Sequence, residues 1–138
     1  MLFRSNDWHV VYRGDNLAEG AVASVRLLGK DLVLWRYNGR VMAWLDLCIH
    51  RGARFSMGQV INGEMVCPYH GWRYNSAGRC TLIPSQPSDP VPRRARAVTY
   101  ECAERYGFIW VCMGTPQADI PAHPEWDDES FAKVFTGP

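Results

Sequence analysis

Residues 31–45 read DLVLWRYNGRVMAWL. Two runs rich in Leu, Val, Trp and Met flank the pair Asn38-Gly39. Asn-Gly between such runs is the strongest short-range hairpin signal, because a two-residue turn needs positive φ at both central positions. The stretch predicts antiparallel strands at 31–36 and 41–45. Outward from it the same texture recurs. Runs rich in Val, Ile, Leu, Tyr and Trp at 10–13, 21–28, 64–66, 72–74, 80–83, 97–102 and 108–112 read as further strands, with turns at Asn62-Gly63, 75–78 and 104–107. No long helical period is present. Many short strands with regular turns predict an all-β fold, an antiparallel sandwich or small barrel.

The chain has 138 residues, the length of one domain, and can bury a core without disulfide staples. Hydrophobic residues make up 47 % and charged residues 21 %, as in ordinary globular proteins. A formal net charge of +1 gives no pull toward nucleic acid or a membrane surface. No run approaches the roughly 20 apolar residues that span a bilayer. Arg4, Asn6, Asp7 and His9 exclude a signal-peptide core at the N-terminus, so a cytoplasmic protein is expected. Five Cys, an odd number without secreted-type spacing, fit a reducing compartment, where Cys and His together point to metal. Residues 1–114 are expected to form the β domain. Residues 115–138, with Pro116, Pro121, Pro124 and Pro138 and an acidic stretch at 125–129, read as an extension packed over it or as a linker.

Two segments carry the chemistry: Cys48-Ile49-His50-Arg51-Gly52 and Cys67-Pro68-Tyr69-His70-Gly71-Trp72. Each offers one thiolate and one imidazole. Thiolates hold iron–sulfur units or zinc, and imidazole suits both metals. Gly52 and Gly71 let each loop turn close to a metal, and Pro68 stiffens the second loop. Structural Zn²⁺ in a Cys₂His₂ site is the alternative, but zinc fingers normally pair Cys with Cys and His with His. Mixed pairs suit a cluster in which one iron takes two Cys and the other two His.

The C-x-H…C-x-x-H pattern with its glycines resembles the Rieske [2Fe–2S] signature. The likeness continues through CIHRGARFSMG at 48–58, CPYHGWRYNSAGRC at 67–80, Ile83-Pro84-Ser85 and the 106–111 run YGFIWV. Together these resemble the N-terminal domain of Rieske non-haem iron oxygenases of the aromatic-ring-hydroxylating type. The resemblance implies a Rieske fold with a cluster-binding hairpin subdomain, and a [2Fe–2S] cofactor on Cys48, His50, Cys67 and His70. Arg51, Gly52, Pro68, Tyr69, Gly71 and Trp72 would surround it, with Tyr69 and Trp72 walling it from water. Rieske proteins of cytochrome bc complexes carry an extra Cys in each loop and a Ser after the second His-Gly. Ala53, Tyr69 and Trp72 stand there instead. Fewer hydrogen bonds to the cluster imply a midpoint near the low end of the Rieske range, about −150 mV.

The resemblance further implies one-electron transfer. A ferredoxin or flavin-dependent reductase would be the donor, and the mononuclear-iron domain of an oxygenase the acceptor. His70 would face that iron, in the homotrimer such oxygenases form. The mononuclear site needs two His and a carboxylate. Beyond His70 the chain has only His123, so that site is not expected here. The chain alone is expected to move electrons and to hydroxylate nothing. A stand-alone Rieske ferredoxin is the other reading. Arg51, Arg54, Arg73 and Arg79 are either solvated charge or a basic rim steering an acidic donor. Arg93, Arg94 and Arg96 read as a solvated edge. Cys80, Cys102 and Cys112 read as small core residues, and Trp8, Trp35, Trp44 and Trp110 as core or inter-sheet packing.

Overall fold

The computed structural model describes residues 4–48 and 52–136. Among these residues ten strands form two antiparallel sheets. In chain order they are β1 His9–Arg13, β2 Val22–Leu27, β3 Lys30–Tyr37, β4 Arg40–Leu45, β5 Gln59–Ile61, β6 Glu64–Val66, β7 Arg73–Tyr74, β8 Cys80–Leu82, β9 Thr99–Arg105 and β10 Phe108–Cys112. The larger sheet has the order β1-β10-β9-β4-β3-β2, and β1 and β2 approach each other, so it curls into a nearly closed barrel. The smaller sheet, β5-β6-β7-β8, lies between β4 and β9 in the chain. The all-β expectation holds. The sequence reading passed over β5, a three-residue strand whose single Val-Ile pair is too short to show alternation.

Local turn chemistry sets the hairpins. Leu28-Gly29, Asn38-Gly39, Asn62-Gly63 and Tyr106-Gly107 each place two successive residues at positive φ. Each pair spans a two-residue loop between directly paired strands, as in Tyr37↔Arg40 and Arg105↔Phe108. Such a turn twists with its strands. Glu19 accepts the backbone N–H groups of Asn38 and Gly39 and ties the β3–β4 turn to the chain before β2.

The 31–45 stretch is buried on both of its faces. Leu32, Leu34, Val41 and Ala43 point into the barrel, with Leu17, Ile109 and Val111. Val33, Trp35, Met42 and Trp44 point the other way, against Cys48, Phe55, Met65, Cys67, Tyr74 and Cys80. One hairpin therefore serves as barrel wall and as floor of the smaller sheet, which explains its near-continuous apolar run. Trp44 sits centrally, with ring centroids 5.0 Å from Trp35, 5.4 Å from Phe55 and 6.3 Å from Tyr74, all edge-to-face. Fully burying a side chain of this kind contributes about 2–3 kcal/mol. Trp8 and Trp110 differ from the core reading. Both are half-buried, and their indole N–H groups donate to Ala118 O and Arg105 O.

The tail turns back over the outer face of β1 and β10. Phe135 packs edge-on to Phe108 and Trp126, and the Arg13 guanidinium lies 4.3 Å from its ring centre. Tyr106 touches the rings of His123 and Trp126. No helix among the described residues is long and apolar enough to cross a membrane.

Candidate metal centre

β4 runs through Asp46 and Leu47 into Cys48, and β6 runs directly into Cys67. Both loops close in the same way. The Cys48 N–H donates to Ala53 O at 2.6 Å, and the Cys67 N–H donates to Trp72 O at 2.8 Å. Each loop thus spans six residues from its Cys, although the Cys–His spacing differs by one. The first loop also carries a Gly52 N–H to Cys48 O bond at 3.0 Å. In the second, His70 and Gly71 are both in the left-handed region, at φ 67° and 68°. Gly71 accepts this freely, whereas a side chain there, as on His70, is a local strain held by its surroundings.

Cys48 and Cys67 are fully buried in one cluster. Burial pushes the Cys67 thiol up to about 11; the Tyr69 backbone N–H opposes this rise and Cys48 adds to it. The Tyr74 hydroxyl lies 3.2 Å from Cys48 Sγ. Burial first, then the Cys48 bond, raises the Tyr74 phenol far above its ordinary range, so it stays protonated and able to donate. The Tyr69 ring stacks on the His70 imidazole, at 4.0 Å between centroids and 18° between planes. Trp72 packs against the core around the two thiols. His50 and Arg51 lie outside the described residues.

The first loop is braced from beneath. The Asp46 carboxylate is buried and accepts from Ser56 N–H at 2.8 Å, Ser56 Oγ at 2.6 Å and Arg54 Nε at 3.1 Å. Arg54 also reaches Asp31 at 3.5 Å. This corrects the basic-rim reading for Arg54, whose charge is committed to two carboxylates of its own chain. Gly58, which follows the Phe55–Met57 turn, lies against the entry to the second loop, where an added Cβ would lie 2.2 Å from Val66 O and 3.2 Å from Pro68 Cδ.

The donor chemistry fits a two-iron cluster. Burial holds the Cys67 thiol neutral, and the charge of a bound metal would reverse that penalty. Among the described residues no three Cys, His, Asp or Glu side chains converge as one ion would require. A structural zinc gathers four donors on one point, whereas a mixed [2Fe–2S] unit spreads its Cys and His pairs over two irons. Of the other thiols, Cys80 packs in the same buried cluster as Cys48 and Cys67 with its Sγ donating to Leu82 O, Cys112 Sγ donates to Ser5 O, and burial pushes Cys102 up to about 12.

Tyr74, Asp46 and Ser56 escaped the sequence reading. Tyr74 was counted only as a strand aromatic, yet its place two residues after Trp72 on an alternating strand puts it on the face that meets the loops. Asp46, two residues before Cys48 at the end of an apolar strand, was the visible sign of a buried acceptor.

Comparison with known proteins agrees with this geometry. Residues 7–102 match the Rieske [2Fe-2S] domain family. The chain is 38 % identical over 109 residues to methylxanthine N1-demethylase NdmA of Pseudomonas putida, covering 75 % of this chain and 31 % of that one. It is 37 % identical over 116 residues to oxidoreductase NdmD of the same organism, covering 83 % and 20 %. The solved structure of Pseudomonas putida NdmB superposes with a TM-score of 0.84 at 34 % identity, over 90 % of this chain and 40 % of that one. The chain thus spans about a third or less of the curated relatives it matches. With the ligand-loop architecture and these likenesses together, the chain belongs to the Rieske [2Fe-2S] domain family, whose cofactor is a Rieske-type [2Fe–2S] cluster.

Proposed function

We propose that this domain is a one-electron relay, the electron-carrying part of a Rieske non-haem iron oxygenase. The observation that supports it best is the pair of matched loops that bring two buried thiols together beneath Tyr74. Cys48, His50, Cys67 and His70 would hold the cluster, which supplies a one-electron couple when bound. The chain's own groups do the rest. The two loop closures fix where each Cys stands. Tyr74 donates its hydroxyl hydrogen to the Cys48 thiolate. Trp72 and the aromatic core behind it exclude water from the sulfur side. Tyr69 holds the plane of the His70 imidazole and leaves that side of the loop open to a partner.

In this reading a ferredoxin or flavin-dependent reductase is the donor, and a mononuclear-iron oxygenase domain is the acceptor. The whole enzyme assembles as a homotrimer in the cytoplasm. Residues 1–114 act as the relay domain, and residues 115–138 lead toward the catalytic part. Substrate oxidation, of aromatic compounds by analogy with the demethylase relatives, takes place there. Likeness to oxidoreductase NdmD favours a second reading, in which the same relay serves on the donor side.

Anaerobic redox titration followed by visible absorbance tests the relay. A single one-electron wave with a midpoint on the order of −150 mV is expected. A midpoint above zero, or no reducible chromophore in iron-loaded protein, would overturn it.

A further inference from the structure

Of the twelve described arginines, four face a carboxylate and eight do not. Arg13, Arg26, Arg36 and Arg54 each face a carboxylate. Arg79, Arg93 and Arg96 face none among the described residues, and all three line one surface cavity of about 460 Å³, with Asn75 and Ala77. In sequence, Arg79 belongs to the region of the second metal loop, and the other two follow a Pro-rich loop. The fold merges them into one concave, exposed, basic surface.

Its backbone is fixed. Arg79 and Arg96 pair as an isolated antiparallel bridge. Asn75 Oδ1 accepts the N–H groups of Ala77 and Arg79, and the Asn75 N–H donates to Arg79 O at 2.9 Å. The Cys80 N–H donates to Ala95 O, and the Ala97 N–H to Gly78 O. Ala95 and Ala97 are buried, which anchors the segment that carries Arg93 and Arg96. Like charges held this close repel one another, and an arriving cluster of carboxylates relieves that repulsion.

We propose that Arg79, Arg93 and Arg96 form a docking cradle for an acidic face of the protein that delivers electrons to this domain. The proposal rests on the electron-relay reading. Three features favour this occupant. Guanidinia spread over an open concavity match carboxylates spread over a protein face. The cradle backs onto the β7–β8 hairpin, where Arg79 leads into β8. At the end of β7, across the turn, stands Tyr74, whose hydroxyl meets Cys48 Sγ. A donor seated there is one hairpin away from the candidate metal centre. Arg54, just after the first loop, is already paired with Asp46 and Asp31.

The test uses iron-loaded protein and a plant-type [2Fe–2S] ferredoxin as an acidic probe. Binding is read by calorimetry with the oxidised probe, and reduction by stopped flow with the reduced probe, at low and high salt. The triple variant R79Q/R93Q/R96Q is compared with wild type and with R40Q. Roughly tenfold weaker binding and slower reduction at low salt, with a flattened salt dependence, are expected for the triple variant only. Its melting temperature, iron content and reduction by dithionite should match wild type. Equal binding and equal salt slopes in the triple variant would overturn the cradle, as would no binding of the probe to wild type. So would a salt-sensitive oligomer that the triple variant dissociates, because the occupant would then be the acidic 125–129 stretch of a second copy. Wild-type protein that carries no iron would instead remove the relay reading.

Discussion

A phenol hydroxyl 3.2 Å from the Cys48 sulfur donates to that sulfur once it is a thiolate, and the bond strengthens as negative charge builds there. Tyr74→Phe removes one such bond and keeps the ring that packs on Phe55 and Trp44. A differential of about 1 kcal/mol between the two oxidation states corresponds to some tens of millivolts for a one-electron couple. Titration of Tyr74→Phe should therefore show a midpoint lower by that order; an unchanged or raised midpoint would remove the hydroxyl from the tuning of the site. Another single residue sets an acid-stability signature. Arg36 holds Glu104 through bonds of 2.9 and 2.7 Å and lowers its carboxyl below the ordinary carboxylate range. A depressed carboxylate stabilises the fold fully above its unfolded value near 4.3, and the contribution is lost as pH falls toward the folded value. Glu104 is partly exposed, so solvent screening keeps the pair to about 1 kcal/mol. Glu104→Gln should melt lower than wild type at pH 7, and the two should converge in acid as pH falls through the depressed Glu104 value. A gap that persists there would assign the effect to packing. At this scale the sequence singles out Cys48, Cys67 and His70 as candidate ligands, because soft donors at short spacing have few other uses. Tyr74 was not, because an aromatic in a strand reads first as core.

Among elements, the second loop depends on one glycine that lies outside it. Gly58 follows the 3-10 turn Phe55–Met57 and lies against Val66 O and the Pro68 ring. Its φ of −90° is open to any residue, so space and not conformation demands glycine. Gly58→Ala would drive a methyl into the Val66 backbone oxygen and push the entry to the second loop away from the Phe55–Met57 turn. A loss on the order of 1–3 kcal/mol is expected, with iron retention falling in step. Chemical denaturation and iron content on the same preparation check this, and wild-type values for both would show that the loop yields without cost. Hairpins were the most legible elements. Asn38-Gly39 and Asn62-Gly63 announced two-residue turns, and the register follows from them. Leu28-Gly29 makes the same turn with a residue that seldom takes positive φ, and there the predicted strand ran one residue too far. The smaller sheet was harder to see. Its strands have two or three residues each and gain their stability from the Trp44 face beneath them, a tertiary effect that no local pattern displays.

The whole molecule is a barrel with one wall shared. Residues 31–45 face the barrel core on one side and the thiol-bearing sheet on the other, so the stretch that decides the fold also seats the candidate centre. The basic surface at Arg79, Arg93 and Arg96 arises only at this scale, because Arg79 and the stretch that holds Arg93 and Arg96 are separate in the chain and the fold closes them together. Most of what the sequence says about function lies in the two candidate ligand loops. What it left out, the Arg54 clasp and the merging of distant arginines, depends on which charges find partners after folding. The central claim is a mixed Cys/His two-iron cluster on Cys48, His50, Cys67 and His70. Electron paramagnetic resonance of the dithionite-reduced protein, with iron and zinc measured on the same sample, tests it most directly. The expected result is a rhombic signal of the mixed-ligand cluster type with two irons per chain. A silent sample holding one zinc per chain would contradict it.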